Sequence, residues 1–379
     1  MRRAHLGSVL GVIAPVFMVA SHSLRRDHPV SHTHTYYIAA DEVTWKYVPT
    51  GTNQVAGRPF DAVERRFVEA GPSSVGGTAL KAVYREYTDS SFAVLRPRPQ
   101  AWEHLGLLGP VLRAQVGDTI RVVFRNNVRF PVSMHPHGVF YDKDSEGAPY
   151  AGKTGAADTA RGVVATGRTH VYLWPVPERA GPGAGDPSSI IWMYHSHVHE
   201  EQDLSSGLLG PIIVTARGKV KPDGTPVGVD REFIVAFDEI DENSSRLLTQ
   251  NIAMYMQRPD SVRVDTSFGI PSVRGQGNQY NFKETLNGYL YGNGPMPTMR
   301  VGEHVRWYLM SGTGFEFHSP HWHGNTVQIG GMRTDVAALL PMGMVVADMV
   351  PDNPGVWLFH CHVSNHLRMG MQMRYEVLP

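Results

Sequence analysis

The chain carries one pattern twice. "GPVLRAQVGD" at 109–118 aligns without a gap to "GPMPTMRVGE" at 294–303. About eighteen residues beyond each stretch comes a His-x-His-Gly, "HPHG" at 135–138 and "HWHG" at 321–324. Each half then reaches a Trp-x-x-His-x-His, "WMYHSH" at 192–197 and "WLFHCH" at 357–362. Two copies of one unit must therefore fold alike, each carrying equivalent histidine pairs. The runs between these motifs are short, alternating and bounded by turn formers, with Gly 39 and Pro 27 supplying the turns. "HTYYIAADEVTWKYV", "TIRVVFRNN", "HVYLWPV" and "LLGPIIVTA" read as strands of the first half. "FIVAFDE", "HVRWYLMSG", "MVVADMV", "GVWLFH" and "MRYEVLP" read as strands of the second, and one helix is expected around 244–257. The fold class is all-β, with a sandwich or Greek-key barrel in each half.

The predicted boundaries are a first domain over 32–216, a Lys-, Pro- and Gly-rich linker at 217–231 and a second domain over 232–379. Lys plus Arg equals Asp plus Glu at 35 each, which gives no footprint for a nucleic acid or a polybasic membrane surface. Arg2 and Arg3, an apolar run from Leu6 to Val19 and the small residues Ala20 and Ser21 form a signal-peptide pattern. Residues 1–21 are thus expected to direct export. The single cysteine, Cys361, excludes an intramolecular disulfide framework, and a free thiol in an oxidising compartment needs an occupant.

Metal ligation supplies one. In a strand, residues i and i+2 face the same way, so His-x-His presents two imidazoles together. Four such pairs occur: His135 and His137, His195 and His197, His321 and His323, His360 and His362. Eight neutral imidazoles suit copper, zinc or iron and not calcium or magnesium. Cys361, His366 and Met371 follow at five-residue intervals, and His318 precedes His321 by three. Two His, one thiolate and a weak axial Met are the ligands of a blue-copper electron-transfer centre, whereas zinc favours more thiolates or a closed tetrahedral set. Met369 is a near decoy for Met371, which the spacing selects.

Together "HPHG", "HSH", "HSPHWHG" and "HCHVSNHLRMGM" resemble the ligand motifs of the multicopper oxidases. "YYIAADEVTWKY", "YREYTDSSF", "LGLLGPVLRAQVGD" and "YHSHVHEEQDLSSGLLGPIIV" are similar to its ceruloplasmin and hephaestin branch. The resemblance covers nearly the whole chain after the signal. It implies two tandem cupredoxin-like Greek-key β-barrels and four copper ions per chain. His318, Cys361, His366 and Met371 would bind the type 1 copper, and His135 and His321 the type 2 copper. His137, His195 and His362 would hold one type 3 copper, and His197, His323 and His360 the other. Cys361 would then be the electron outlet, with both of its covalent neighbours on the receiving cluster.

In the first domain Val132, Ser196 and Glu201 stand at the positions of His318, Cys361 and His366, so no blue site is expected there. The same resemblance implies one-electron oxidation of a small reductant coupled to reduction of dioxygen to water. With two domains instead of six, similar oxidases close a homotrimer that builds the three-copper cluster between subunits. Glu146 resembles an acid that the family places for proton delivery. Ferroxidase relatives bind ferrous iron through carboxylates, and "FDEIDENSS" offers Asp238, Glu239, Asp241 and Glu242. Asn365, where the ferroxidase pattern has Asp, counts against iron and keeps laccase-like phenol oxidation and cuprous oxidation open. A copper nitrite reductase needs no eight-histidine set, and a non-catalytic copper-binding module would be expected to have lost ligands.

Overall fold

Alternating apolar and polar residues pair into strands wherever one face can be buried, and the expected runs do so here. "HTYYIAADEVTWKYV" becomes the strand Thr33–Lys46, "TIRVVFRNN" becomes Thr119–Asn126 and "HVYLWPV" becomes Thr169–Pro175. "GVWLFH" and "MRYEVLP" become the antiparallel neighbours Gly355–Cys361 and Gln372–Leu378. The computed structural model describes residues 31–151, 161–265, 272–274, 278–312 and 316–379. The expected signal at 1–21 lies outside the described residues.

Among the described residues each half contains two main sheets, and the second half adds the two-stranded pair Arg263–Asp265 and Ser272–Arg274. In the first half, Thr78–Tyr87, Thr33–Lys46, Thr119–Asn126 and Thr169–Pro175 lie side by side in that order. Its second sheet runs Leu112–Gln115, Leu209–Thr215, Ser189–His195, His135–Pro136. In the second half, Phe282–Leu286, Arg231–Asp241, Val305–Ser311, Met344–Met349, Val327–Ile329 and Met332–Thr334 form the larger sheet. The smaller one runs Thr298–Arg300, Gln372–Leu378, Gly355–Cys361, Pro320–Trp322 and repeats the second sheet of the first half strand for strand. The architecture is mostly β, as the repeat requires.

Buried side chains fill the space between the sheets of each half. Phe124, Tyr172, Trp174, Tyr84 and Tyr194 centre the first core; Trp307, Trp322, Phe359 and Tyr375 centre the second, with Cys361 and Met371 at its edge. A third cluster joins Ile191, Met193, Leu209 and Ile213 to Ile234, Ala236, Tyr308 and Met310. Because that apolar seam is continuous, residues Ser31–Pro379 form one compact unit. Polar bonds reinforce the seam: Lys81 pairs with Glu242 at 2.8 Å, both fully buried, and Arg113 pairs with Glu232 at 2.7 Å.

The expected helix appears as Leu248–Tyr255. Two further short helices, Glu200–Ser206 and Ser364–Met369, directly follow the two Trp-x-x-His-x-His motifs and were not foreseen. Each is under two turns, too brief for a 3.6-residue period to register, and each stops at a glycine with positive φ, Gly207 and Gly370.

Candidate metal centre

Strand register assembles the histidines. Ser189–His195 pairs antiparallel with the two-residue strand His135–Pro136, setting His135 directly opposite His195. In the second half Pro320–Trp322 pairs with Gly355–Cys361, setting His321 opposite His360. The glycine that ends each His-x-His-Gly has a packing reason. Gly138 and Gly324 sit at φ +74° and +73°, and a Cβ there would overlap the indoles of Trp192 and Trp357 respectively. The first Trp of each Trp-x-x-His-x-His thus clamps the turn that carries the facing pair of histidines.

The lone thiol lies at the end of such a strand. Cys361 is fully buried, with its Sγ 3.6 Å from His366 Nδ1 and 4.0 Å from His318 Nδ1. Met371, also fully buried, accepts the Cys361 N–H at 3.1 Å through its carbonyl and donates its own N–H to His366 O at 2.9 Å. Its backbone therefore ties the cysteine to the second histidine. The Ser319 N–H donates to Sγ at 3.3 Å, a bond that would settle a thiolate. Burial pushes the Cys361 thiol up and the His318 imidazole down to about 3, so without a cation the pocket is neutral. A metal ion reverses that preference for the thiol and finds the imidazole already deprotonated.

The other eight histidines form two groups. In the first half His137 Nε2 faces His195 Nε2 at 3.1 Å, and the ring of His135 lies 5.1 Å from that of His197. His135 Nδ1 is held by Glu146 O at 2.7 Å and His195 Nδ1 by Ser196 O at 3.1 Å, which turns their Nε2 atoms inward. In the second half His323 Nε2 faces His360 Nε2 at 3.1 Å, His360 Nδ1 is held by Cys361 O at 2.7 Å, and the His321 and His362 rings are 5.1 Å apart. Burial holds His137 and His360 down at about 4 and depresses His135, His195 and His323. Neutral imidazoles whose free nitrogens converge at hydrogen-bond range fit a shared cation, and the N and S donors fit copper. Among the described residues, no ring contact or ligand-spaced group links the first set to the second.

Of the candidate carboxylates, Glu239 is brought to the thiol site: it shares a ligand-spaced group with Glu284 and His366. Strand pairing explains this, because Glu284 lies directly opposite Glu239. Glu316 adds a third carboxylate, with Oε2 3.1 Å from His366 Nε2. Burial and the Glu316 charge raise Glu239 to about 7; burial and the Glu239 charge raise Glu284 to about 9. Such crowding of acids is relieved by a cation. Asp238 lies against Gly312 and contributes its charge to both glutamates. Asp241 and Glu242 serve the fold instead: Asp241 accepts from Asn243 and Ser244, and Glu242 holds Lys81.

Glu146 reaches the histidines through its carbonyl, while its carboxylate takes Lys143 and Tyr150. Burial pushes that carboxyl up, and these two bonds outweigh it, leaving it below the ordinary range. Three acids at the sites were missed in the sequence: Glu200, Glu284 and Glu316. Glu316 stood two residues before His318, a same-face spacing that could have flagged it. Glu284 became visible only through strand register.

At the first-half position matching Cys361, Ser196 keeps the same backbone contact, accepting the Ser133 N–H at 3.1 Å. It then donates to the buried Asp203 at 2.6 Å. Alcohol and carboxylate, with Val132 in place of an imidazole, leave no soft donor set there.

Sequence models of the family described as multicopper oxidase match residues 104–219 and 270–379. The chain is 42% identical to human "Ferroxidase HEPHL1" over 350 residues, covering 91% of this chain and 29% of that protein. It is 38% identical to human hephaestin, with the same coverage, and 37% identical to human ceruloplasmin, covering 91% of this chain and 32% of that one. The chain thus spans about a third of the length of these relatives. Among solved structures, one described as a multicopper oxidase superposes with a TM-score of 0.56 at 17% identity, covering 91% of this chain and 89% of the other. The blue copper oxidase from Nitrosomonas europaea superposes with a TM-score of 0.55 at 17% identity, covering 92% and 86%. These likenesses concern the fold.

Proposed function

Because the chain belongs to the multicopper oxidase family, we propose that it oxidises a small reductant one electron at a time and reduces dioxygen to water. The observation that carries this reading is the tripeptide His360-Cys361-His362. Its thiol is buried against His318 and His366, and its two imidazoles turn into a separate histidine group. His318, Cys361, His366 and Met371 would hold a type 1 copper; His135 and His321 a type 2 copper; His137, His195 and His362, and His197, His323 and His360, the two type 3 coppers. Copper, when bound, supplies reversible one-electron redox chemistry and a site for dioxygen.

The chain's own groups divide the remaining work. His366 joins surface to interior, with Nε2 on the exposed Glu316 and Nδ1 toward the buried thiol. Cys361 would join the type 1 position through its own backbone to His360 and His362, a covalent route for the electron once copper is bound. Glu146, fixed beside His135, is the candidate to bring protons, through Lys143 and Tyr150. The reductant favoured is ferrous iron, because Glu239, Glu284 and Glu316 gather hard oxygen donors at His366. They offset the carboxylate missing at Asn365. A phenol or cuprous ion would gain nothing from three acids.

The chain is further proposed to be exported, on the pattern of residues 1–21, and to assemble as a homotrimer, since among the described residues its two histidine groups do not meet. Threefold closure of heterologous contacts would set the first-half group of one subunit against the second-half group of the next. Oxygen uptake by the copper-loaded protein with ferrous, cuprous and manganous ions and a phenol tests the reading. Ferrous ion should turn over fastest, and Glu284→Gln should raise its KM several-fold while leaving phenol oxidation unchanged. Cys361→Ser should abolish the blue colour and all turnover. Turnover retained by the serine variant would refute the electron route, and faster phenol than iron oxidation would refute the substrate.

A further inference from the structure

The two histidine groups are not equivalent. In the first, a carboxylate enters: Glu200 Oε2 lies 3.3 Å from His197 Nε2 and Oε1 lies 3.9 Å from His195 Nε2. Glu200 follows His197 by three residues; the same step from His362 reaches Asn365, so the second group has an amide at that position. Nothing in the blue-copper or eight-imidazole sets assigns Glu200 a role.

Ligand geometry gives it one. Two donors each about 2.1 Å from one ion, at angles between square and tetrahedral, lie roughly 3.0–3.4 Å apart. The 3.1 Å between His137 and His195 and the 3.3 Å between Glu200 and His197 both fall there. His195 is fully buried with its Nδ1 bonded to Ser196 O, so Nε2, which faces His137 Nε2 and lies 3.9 Å from Glu200, is the nitrogen left for a metal. Resting on the assignment above, in which His197 serves a type 3 copper, we propose that Glu200 is a ninth protein ligand of the cluster, through Oε2 beside His197; Oε1, 3.9 Å from His195, lies outside that ligand spacing. A carboxylate oxygen is an anionic donor to a cation, which the amide at Asn365 is not. The first half therefore supplies an anionic ligand as well as imidazoles, and Cu(II) is held there more firmly than four neutral donors would hold it.

The test uses the full chain loaded with copper, with copper counted per chain against a graded chelator. The near-ultraviolet absorption of the type 3 pair and the blue absorption of the type 1 site are followed in parallel. Glu200→Gln should release cluster copper at roughly tenfold lower chelator, with the type 3 absorption weakened and the blue absorption intact. Glu200→Asp should fall between, and Glu201→Gln, at the half-buried next residue of the same helix, should match the unaltered chain. The glutamate is partly exposed, with its side chain 43% accessible, so an isosteric amide leaves the fold alone. Equal copper retention in Glu200→Gln, or a loss shared equally by the blue site, overturns the ligand. An unaltered chain that takes up copper and turns blue keeps the oxidase reading standing in that case; one that never does so removes both.

Discussion

At the scale of single residues, the histidine groups depend on glycines as much as on imidazoles. Gly324 adopts φ +73° directly beneath the Trp357 ring, and Gly138 repeats the arrangement with Trp192. Gly302 has a similar φ of +82°, but a Cβ there would meet nothing within 4 Å. The comparison separates backbone strain from overlap. Gly302→Ala should cost about 1 kcal/mol, the price of a left-handed alanine. Gly324→Ala adds the displacement of a packed indole and should cost about 2–5 kcal/mol, measured by chemical denaturation. It should also loosen cluster copper, because His321 and His323 lie on the displaced turn. Equal costs for the two variants would mean that the indole moves freely and that the Trp–Gly pairing does not position the metal ligands.

At the scale of elements, the seam between the halves hinges on His104. It lies in the 3-10 helix Gln100–Leu105, and its Nε2 accepts the N–H of Ile234 at 3.1 Å from the strand Arg231–Asp241. Asn287 fastens the same corner, donating to His104 O at 2.7 Å and Ile234 O at 2.9 Å. Burial holds the His104 imidazole down at about 4. The unfolded chain takes up that proton nearer pH 6.5, so the contribution of a neutral His104 is complete above pH 6.5. It drains away as pH falls toward 4, by roughly 3 kcal/mol in all. His104→Gln keeps an acceptor for Ile234 without the titration. The stability difference between the two proteins should therefore change between pH 6.5 and 4 and be flat above that window; a difference independent of pH would mean that His104 is solvated.

None of this corner could be read from the sequence, because it joins residues more than a hundred positions apart. Legibility followed locality. The strands and the residues gathered around the thiol were readable because period-2 alternation and the Cys361–His366–Met371 spacing are written within a few residues. Glu284 was not, because its neighbour Glu239 comes from across a strand pair. Nor were the helices Glu200–Ser206 and Ser364–Met369, whose length is set by glycine stops and not by an apolar period. At the scale of the whole molecule, one fact organises the rest: a single chain holds two histidine groups that do not meet among its described residues. Were the cluster shared between subunits, two inactive proteins could repair each other. His197→Ala disables only the first-half group and His323→Ala only the second, and both leave Cys361 and its ligands in place. Neither variant alone should reduce dioxygen. After dissociation and reassembly of an equal mixture, each subunit junction pairs one first-half group with one second-half group at random. About one junction in four then combines two intact groups, so oxygen uptake should recover to about a quarter of the unaltered rate. The recovery should follow the appearance of trimer on dilution and concentration. A cluster completed within each chain gives no recovery at any mixing ratio, and that result would return the homotrimer to an ordinary monomer.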